Sequence, residues 1–370
     1  MPPRILILSL PDDVHAHCVL WVLRSHGVEC TIWYQSQFPF PDRLSLGIAD
    51  RGGAWTSIDA AYESPITAVW SRRFGVLDVG DDLHPDDAAV SQEECGRFLN
   101  CLRFLVAPEA LWINPYDREF YANSKAVQLA QAVRSGLMVP DTLMSNNSEA
   151  VQAFMKRHDR IIYKPFYPAQ WQIAGGVAST FTTILDPTLL DDPESLQRCP
   201  GIFQPLVRKK YEARVTICGE VALAARIDVR VRVSEVNDWR QASLSANGVS
   251  IEPLEVPDQI LRGCLCLMKR LGIVFGCFDF IIDAEGHWVF LEVNPMGQFL
   301  WVEEACPEIP LLATFCDFLL AGRADFRGVQ PSSLCGVHCT GILKSTAFSQ
   351  WFEEIRIAHR PPVHQKGVSE

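Results

Sequence analysis

The chain has 370 residues, 48% hydrophobic and 21% charged, with a net charge of −11 and a pI near 5.3. That length allows two or three packed domains, and the balance is globular rather than disordered. No apolar run approaches the roughly 18 residues of a membrane helix, and an acidic chain without a basic stripe excludes a generic nucleic-acid binder.

The opening apolar stretch Ile5-Leu6-Ile7-Leu8 is followed almost at once by Pro11-Asp12-Asp13. It is too short for a signal-peptide core, so it is expected as a buried strand of a cytoplasmic protein. Up to about residue 115 strands and helices alternate, as in an open α/β unit. Residues 4–9 read as a strand, 14–26 as a helix closed by Gly27, and 29–34 and 66–71 as further strands, the last running into Arg72-Arg73. A helix starts at Pro85, with Asp86 and Asp87 suiting its positive end, and continues to about Ala107.

A second unit opens near Tyr121. Asn123 or Ser124 caps a helix over 125–134, which Gly136 stops, and 148–158 forms another. Residues 160–164 and 201–206 read as strands. The third unit pairs 212–218 with 220–233 across the turn at Gly219-Glu220. An amphipathic helix over 257–271, strands 274–282 and 288–293, and a helix over 308–321 follow. Beyond Gly328 the pattern weakens, and the residues after Arg360 are expected as a mobile tail. The expected division is 1–118, 119–206, 207–328 and a C-terminal extension, 329–370.

Of the thirteen cysteines, Cys264 and Cys266 lie in an apolar helical pattern and Cys277 in an apolar strand pattern. They read as reduced, buried thiols rather than a disulfide framework. Cys335, His338 and Cys339 match no common zinc spacing and read as an ordinary loop. The basic cluster Arg208-Lys209-Lys210 suits a small anionic ligand.

The strands flanking Asp283-Ala284-Glu285-Gly286 carry the sharpest chemical signal. Glu292 and Asn294 are two residues apart, so a strand points both the same way. With a loop of two or four residues, Asp279 falls opposite residue 290 and shares their face. Three oxygen-bearing side chains then converge, as hard Mg²⁺ requires. A structural acid beside a hairpin is the alternative.

Upstream, Lys164 ends a strand where it can reach phosphate oxygens, and Gly175-Gly176 lies in a segment whose amides can cover phosphates. Lys125 alone reads as a solvated helix lysine. Phe203-Gln204-Pro205-Leu206-Val207 offers backbone groups at a lobe junction, as adenine needs. Glu212 suits a ribose hydroxyl, and Arg214, on the same face, a transferring phosphoryl group.

This order of helix lysine, strand lysine-proline, Gly-rich loop, hinge, E-x-R, D and E-x-N resembles the ATP-grasp superfamily, over about residues 114–321. No Walker P-loop is present. A closer resemblance is to the microviridin-type (graspetide) peptide ligases. It is carried by Val69-Trp70-Ser71-Arg72-Arg73, Trp112-Ile113-Asn114-Pro115, Cys199-Pro200-Gly201-Ile202-Phe203-Gln204, Asp238-Trp239-Arg240 and Leu291-Glu292-Val293-Asn294-Pro295-Met296-Gly297-Gln298. The segment Pro168-Ala169-Gln170-Trp171-Gln172 is less acidic than the family's usual loop.

The resemblance implies an ATP-grasp fold of the α/β (α+β) class, with an N-terminal open α/β domain before two lobes that enclose ATP. It implies that Lys125, Lys164, Gly175 and Gly176 meet nucleotide phosphates, that Gln204, Leu206 and Val207 hold adenine, and that Glu212 takes the ribose. Asp279, Glu292 and Asn294 would bind Mg²⁺, and Arg214 and Arg240 would stabilise an acyl phosphate. The substrate would be a precursor peptide with a leader segment. A homodimer is allowed, and neither nucleic acid nor membrane is expected as a partner. The alternatives are a ligase that adds a free amino acid to a protein, peptide or small carboxylate, and a non-catalytic nucleotide-binding subunit.

Overall fold

In the first 113 residues, strands β1 (Arg4–Ser9), β2 (Glu29–Tyr34), β3 (Leu46–Ala49), β4 (Gly53–Thr56), β5 (Ala68–Ser71) and β6 (Leu111–Ile113) accompany helices α1 (Val14–Ser25) and α2 (Pro85–Leu105). The computed structural model describes residues 2–50, 53–62, 64–73, 75, 77–80, 83–167, 170–173, 176–179, 182–190, 192–229, 249–329 and 334–359. A parallel sheet runs β2-β1-β5-β6. Every residue of β1 is buried because helices cover both of its faces. Ile5, Ile7, Ala68 and Trp70 point to one core, which includes α1, while Leu6, Leu8 and Val69 meet Leu102 and Val106 on the other face. The small hairpin β3–β4 stands apart from this sheet.

The next stretch holds α3 (Tyr116–Asn123), α4 (Lys125–Arg134), β7 (Leu143–Ser145), α5 (Ser148–Met155), β8 (Ile161–Lys164), β9 (Gln170–Ile173), β10 (Gly176–Ser179), β11 (Thr183–Ile184), α6 (Pro193–Arg198) and β12 (Gly201–Pro205). An antiparallel sheet β11-β8-β12-β7 has its own small core around Val151, Phe154, Ile161 and Phe203. β9 and β10 form a separate hairpin.

β13 (Lys209–Cys218), β14 (Val221–Val229), β15 (Val249–Pro253), α7 (Asp258–Leu271), β16 (Phe275–Asp283), β17 (Trp288–Asn294), α8 (Leu300–Ala305) and α9 (Leu311–Ala321) follow. The sheet order is β15-β14-β13-β16-β17, antiparallel throughout. One face buries Val215, Ile217, Phe278, Phe280 and Phe290 against Cys264, Leu267 and Leu271 of α7 and Leu129 of α4. Residues 230–233, expected to continue β14, lie outside the described residues, as does the expected tail after Arg360.

Two helices follow where the sequence pattern weakened: α10 (Cys339–Leu343) and α11 (Thr346–Ala358). Phe348, Trp351 and Phe352 recur at helical spacing, and their rings pack on Trp21 and His17 of α1. All thirteen cysteines are free. Among the described residues no helix is long and apolar enough to cross a membrane.

Candidate active site

Along β13, Ala213, Val215 and Ile217 enter the core, so Glu212, Arg214 and Thr216 face the other way. β16 repeats this division, with Phe278, Phe280 and Ile282 inside and Asp279 on the opposite face. Arg214 is the cross-strand neighbour of Asp279. Its Nη1 donates to both Asp279 carboxylate oxygens at 2.8 Å. Burial alone would lower the Arg214 pKa, but the Asp279 carboxylate, together with Cys277 and Glu292, more than reverses this and holds the guanidinium charged. The Arg214 Nη2 donates to the Gln298 carbonyl at 3.1 Å, and the guanidinium lies over the Trp301 ring.

The register of β17 differs from the expected one. Asp279 lies opposite Glu292 rather than residue 290, and Phe280 lies opposite Phe290, with a bulge between the two pairs. The turn is a three-residue loop: the Asp283 N–H donates to the His287 carbonyl, and Gly286 takes a φ of +90°. The bulge at Leu291 has a chemical consequence. Residues 290 and 292 would share a face of a regular strand, yet Phe290 is fully buried in the core while Glu292 joins Asp279 on the other side. Asn294, opposite Cys277, shares the Glu292 face at the exposed strand end, and its Oδ1 accepts from the Met296 N–H at 3.1 Å.

Lys125, in the first turn of α4, donates to Glu292 Oε2. Gln128, one turn further, anchors the helix to β17: its Nε2 donates to the Val293 carbonyl at 2.8 Å and its Oε1 accepts from the Val293 N–H at 3.0 Å. Glu212 is paired with Lys209. The structure therefore brings Lys125, Arg214, Asp279, Glu292 and Asn294 together on one sheet face.

The other predicted residues lie on the central lobe. Lys164 ends β8 opposite Ile202, and Gly176 opens β10. Gln204 is 3% exposed; its Nε2 donates to Thr142 Oγ1 at 2.9 Å, and its buried Oε1 has no hydrogen-bond partner among the described residues. The Leu206 N–H is already engaged by the Arg160 carbonyl at 2.9 Å, so Leu206 can offer an adenine only its carbonyl, and half-buried Val207 follows it. Gly175 and Arg240 lie outside the described residues.

Sequence reasoning missed Gln128. A buried glutamine between Lys125 and the core residues Leu129 and Ala132 was the available signal. A tempting alternative cation site, the Asp283, Glu285 and His287 cluster, is turn chemistry: Asp283 accepts from the His287 N–H at 2.7 Å and pairs with its ring at 3.0 Å.

The donor set of two carboxylates and one amide oxygen is hard, all-oxygen and adjacent to cationic side chains, which fits Mg²⁺ carrying a polyphosphate. The orphaned Gln204 acceptor fits a purine amino group.

The chain matches no family model and no curated protein sequence. Its fold does match solved structures. A RiPP-associated ATP-grasp ligase of Chryseobacterium gregarium, in complex with ADP and a leader and core peptide, superposes with a TM-score of 0.75 at 23% identity, over 88% of this chain and 100% of that one. Macrocyclase MdnC of Microcystis aeruginosa MRC, bound with precursor peptide MdnA, gives 0.70 at 26% identity, over 86% and 100%. D-cycloserine synthetase DcsG is similar at a TM-score of 0.53 and 14% identity, over 86% and 99%. The chain has the ATP-grasp fold, in the form that it shares with that ligase and that macrocyclase.

Proposed function

We propose that the protein is an ADP-forming ATP-grasp ligase that links side chains within a precursor peptide. The observation that carries this reading is the single sheet face on which Arg214 grips Asp279 and Lys125 grips Glu292. That face concentrates carboxylates for a metal and cations for a polyphosphate. The fold shared with peptide-bound ligases supports the substrate class.

In this reading ATP lies between the central and C-terminal sheets, with Gln204, Leu206 and Val207 at its base and Glu212 at the ribose. Lys125, Lys164 and the Gly175-Gly176 segment meet the phosphates. Asp279, Glu292 and Asn294 would hold Mg²⁺, which neutralises charge on the β- and γ-phosphates when bound. An Asp or Glu carboxylate of the peptide attacks the γ-phosphorus, breaking the bond to ADP and giving an acyl phosphate. Arg214, and Arg240 by resemblance, balance the charge on the transferring group. A Lys amine, or a Ser or Thr hydroxyl, of the same peptide then attacks the acyl carbon, releasing phosphate and a proton. The product is an amide or ester ring, and the leader segment docks away from the chemistry.

The test is incubation with ATP, Mg²⁺ and the peptide encoded beside the gene, followed by mass spectrometry. Loss of one water per ring supports the proposal. ADP release with an unchanged peptide mass would sink it, and ADP release stimulated by a free amino acid would favour the amino-acid-adding alternative.

A further inference from the structure

The loop that follows the acidic strand is held by Arg214 of its own sheet and by side chains from outside that sheet. Its backbone carbonyls are taken in succession: Pro295 O accepts from Asn114 Nδ2 at 2.8 Å, Met296 O from Arg72 Nη1, Gly297 O from Arg72 Nη1 at 3.2 Å, and Gln298 O from Arg214 Nη2 at 3.1 Å. Leu300, just beyond, donates its N–H to His15 Nε2 at 3.3 Å. Arg72, Asn114 and His15 all belong to the N-terminal unit.

Arg72 is not a surface cation that happens to reach the loop. It is 1% exposed, and its Nε lies 3.0 Å from Asp13 Oδ2. Asp13 is itself fixed by the Ser9 hydroxyl at 2.9 Å and by the His15 N–H at 3.1 Å. Burying such a pair carries a desolvation cost that plain packing would avoid. Asn114 is equally committed: its Oδ1 accepts from the Val274 and Phe275 N–H groups at 2.8 and 2.9 Å, and its Nδ2 also donates to Phe275 O at 2.9 Å. One asparagine thus ties the start of β16 to the loop that leaves β17.

Resting on the ligase reading above, we propose that Arg72 and Asn114 are positioning residues for the metal end of the site. They set the 295–298 loop and, through it, Asn294 and Arg214. The route is short. The Met296 N–H donates to Asn294 Oδ1, and the Gly297 N–H to Asn294 O at 3.2 Å, so moving the Met296 and Gly297 carbonyls moves the Asn294 amide that would hold the cation. Groups that orient a metal ligand without touching the metal commonly carry about a 10- to 100-fold effect on metal affinity. The N-terminal unit then helps to build the magnesium site.

The test is calorimetric titration of the full chain with ADP, with and without Mg²⁺, which needs no turnover. Arg72→Gln should leave the metal-free ADP affinity nearly unchanged and cut the gain conferred by Mg²⁺ by about tenfold or more. Asn114→Ser should do the same, and it decides the matter if Arg72→Gln fails to fold. Phe348→Leu perturbs the same N-terminal core without touching the loop and should keep the full gain. An unchanged gain in both loop variants, or an equal loss in Phe348→Leu, overturns the inference. If the unmutated protein shows no magnesium-linked ADP binding, the ligase reading itself fails, and this inference with it.

Discussion

Arg214 spans two partners with two different nitrogens, Nη1 to the Asp279 carboxylate and Nη2 to the Gln298 carbonyl, a fork that the single nitrogen of a lysine does not reproduce. Arg214→Lys should therefore lower kcat about a hundredfold or more while changing the KM for ATP far less, as steady-state kinetics would show. Glu292→Gln keeps the shape but removes a charge facing Lys125. It should abolish turnover and weaken ADP binding only when Mg²⁺ is present; normal turnover would refute the metal assignment. His15 gives a pH prediction. Burial, reinforced by Arg72, pushes its pKa down from 6.5 to about 3, so folded His15 stays neutral where the unfolded chain takes up a proton. Stability should fall as pH drops from 6.5 towards about 3, with His15 contributing up to about 1.4 kcal/mol per pH unit. Asp13, held below the usual carboxylate range by Arg72 despite its burial, adds loss in the same direction at the acid end. Denaturant unfolding across that range should show a shallower slope in His15→Gln.

At the scale of the element, the bulge in β17 decides what the strand can do. It lets one short strand bury Phe290 among Phe278 and Phe280 and still present Glu292 beside Asp279. The loop after it is packed as closely as the core. A Cβ on Gly297 would meet Cys277 Sγ at 2.3 Å and the Phe275 ring at 3.1 Å. Gly297→Ala should cost about 1–3 kcal/mol of stability and also reduce magnesium-linked nucleotide affinity, because the added methyl pushes the loop off its anchors. Unfolding and calorimetry on the same preparation separate the two effects. Unaltered values for both would mean that the loop has more room than the structure gives it.

Across the whole molecule, the parts before and after the nucleotide lobes close on each other. Phe348 of α11 is 2% exposed and packs edge-on to Trp21 of α1. Phe348→Ala should lose roughly 3–5 kcal/mol, visible as a lower thermal midpoint, even though the residue is far along the chain from the site. Ligand should act in the opposite sense. Mg²⁺ with ADP at about a hundred times its Kd should add about 2.7 kcal/mol of stability, and chelating the metal should remove most of that gain. A midpoint indifferent to nucleotide would argue against binding altogether.

By itself the sequence determined the α/β alternation and the outlines of β1, β2, α4, β16 and β17, and it marked Asp279, Glu292 and Arg214 as candidates; Lys125 alone read as a solvated helix lysine until the resemblance singled it out. Those signals are local: period-two and helical patterning, turn residues, and charges placed where apolar residues would otherwise sit. The tertiary structure alone decided how β16 and β17 align, because a bulge leaves no mark in hydrophobic alternation when Phe290 and Glu292 are simply two residues apart. It alone disclosed that Arg72, paired with Asp13, and Asn114 reach across more than 150 residues of chain to the loop after Glu292. It also turned Gln128 from an ordinary helix residue into the anchor of an edge strand, and it folded residues 339–358 against α1. Contacts of this kind join distant segments through backbone carbonyls, which carry no residue identity for a sequence to reveal.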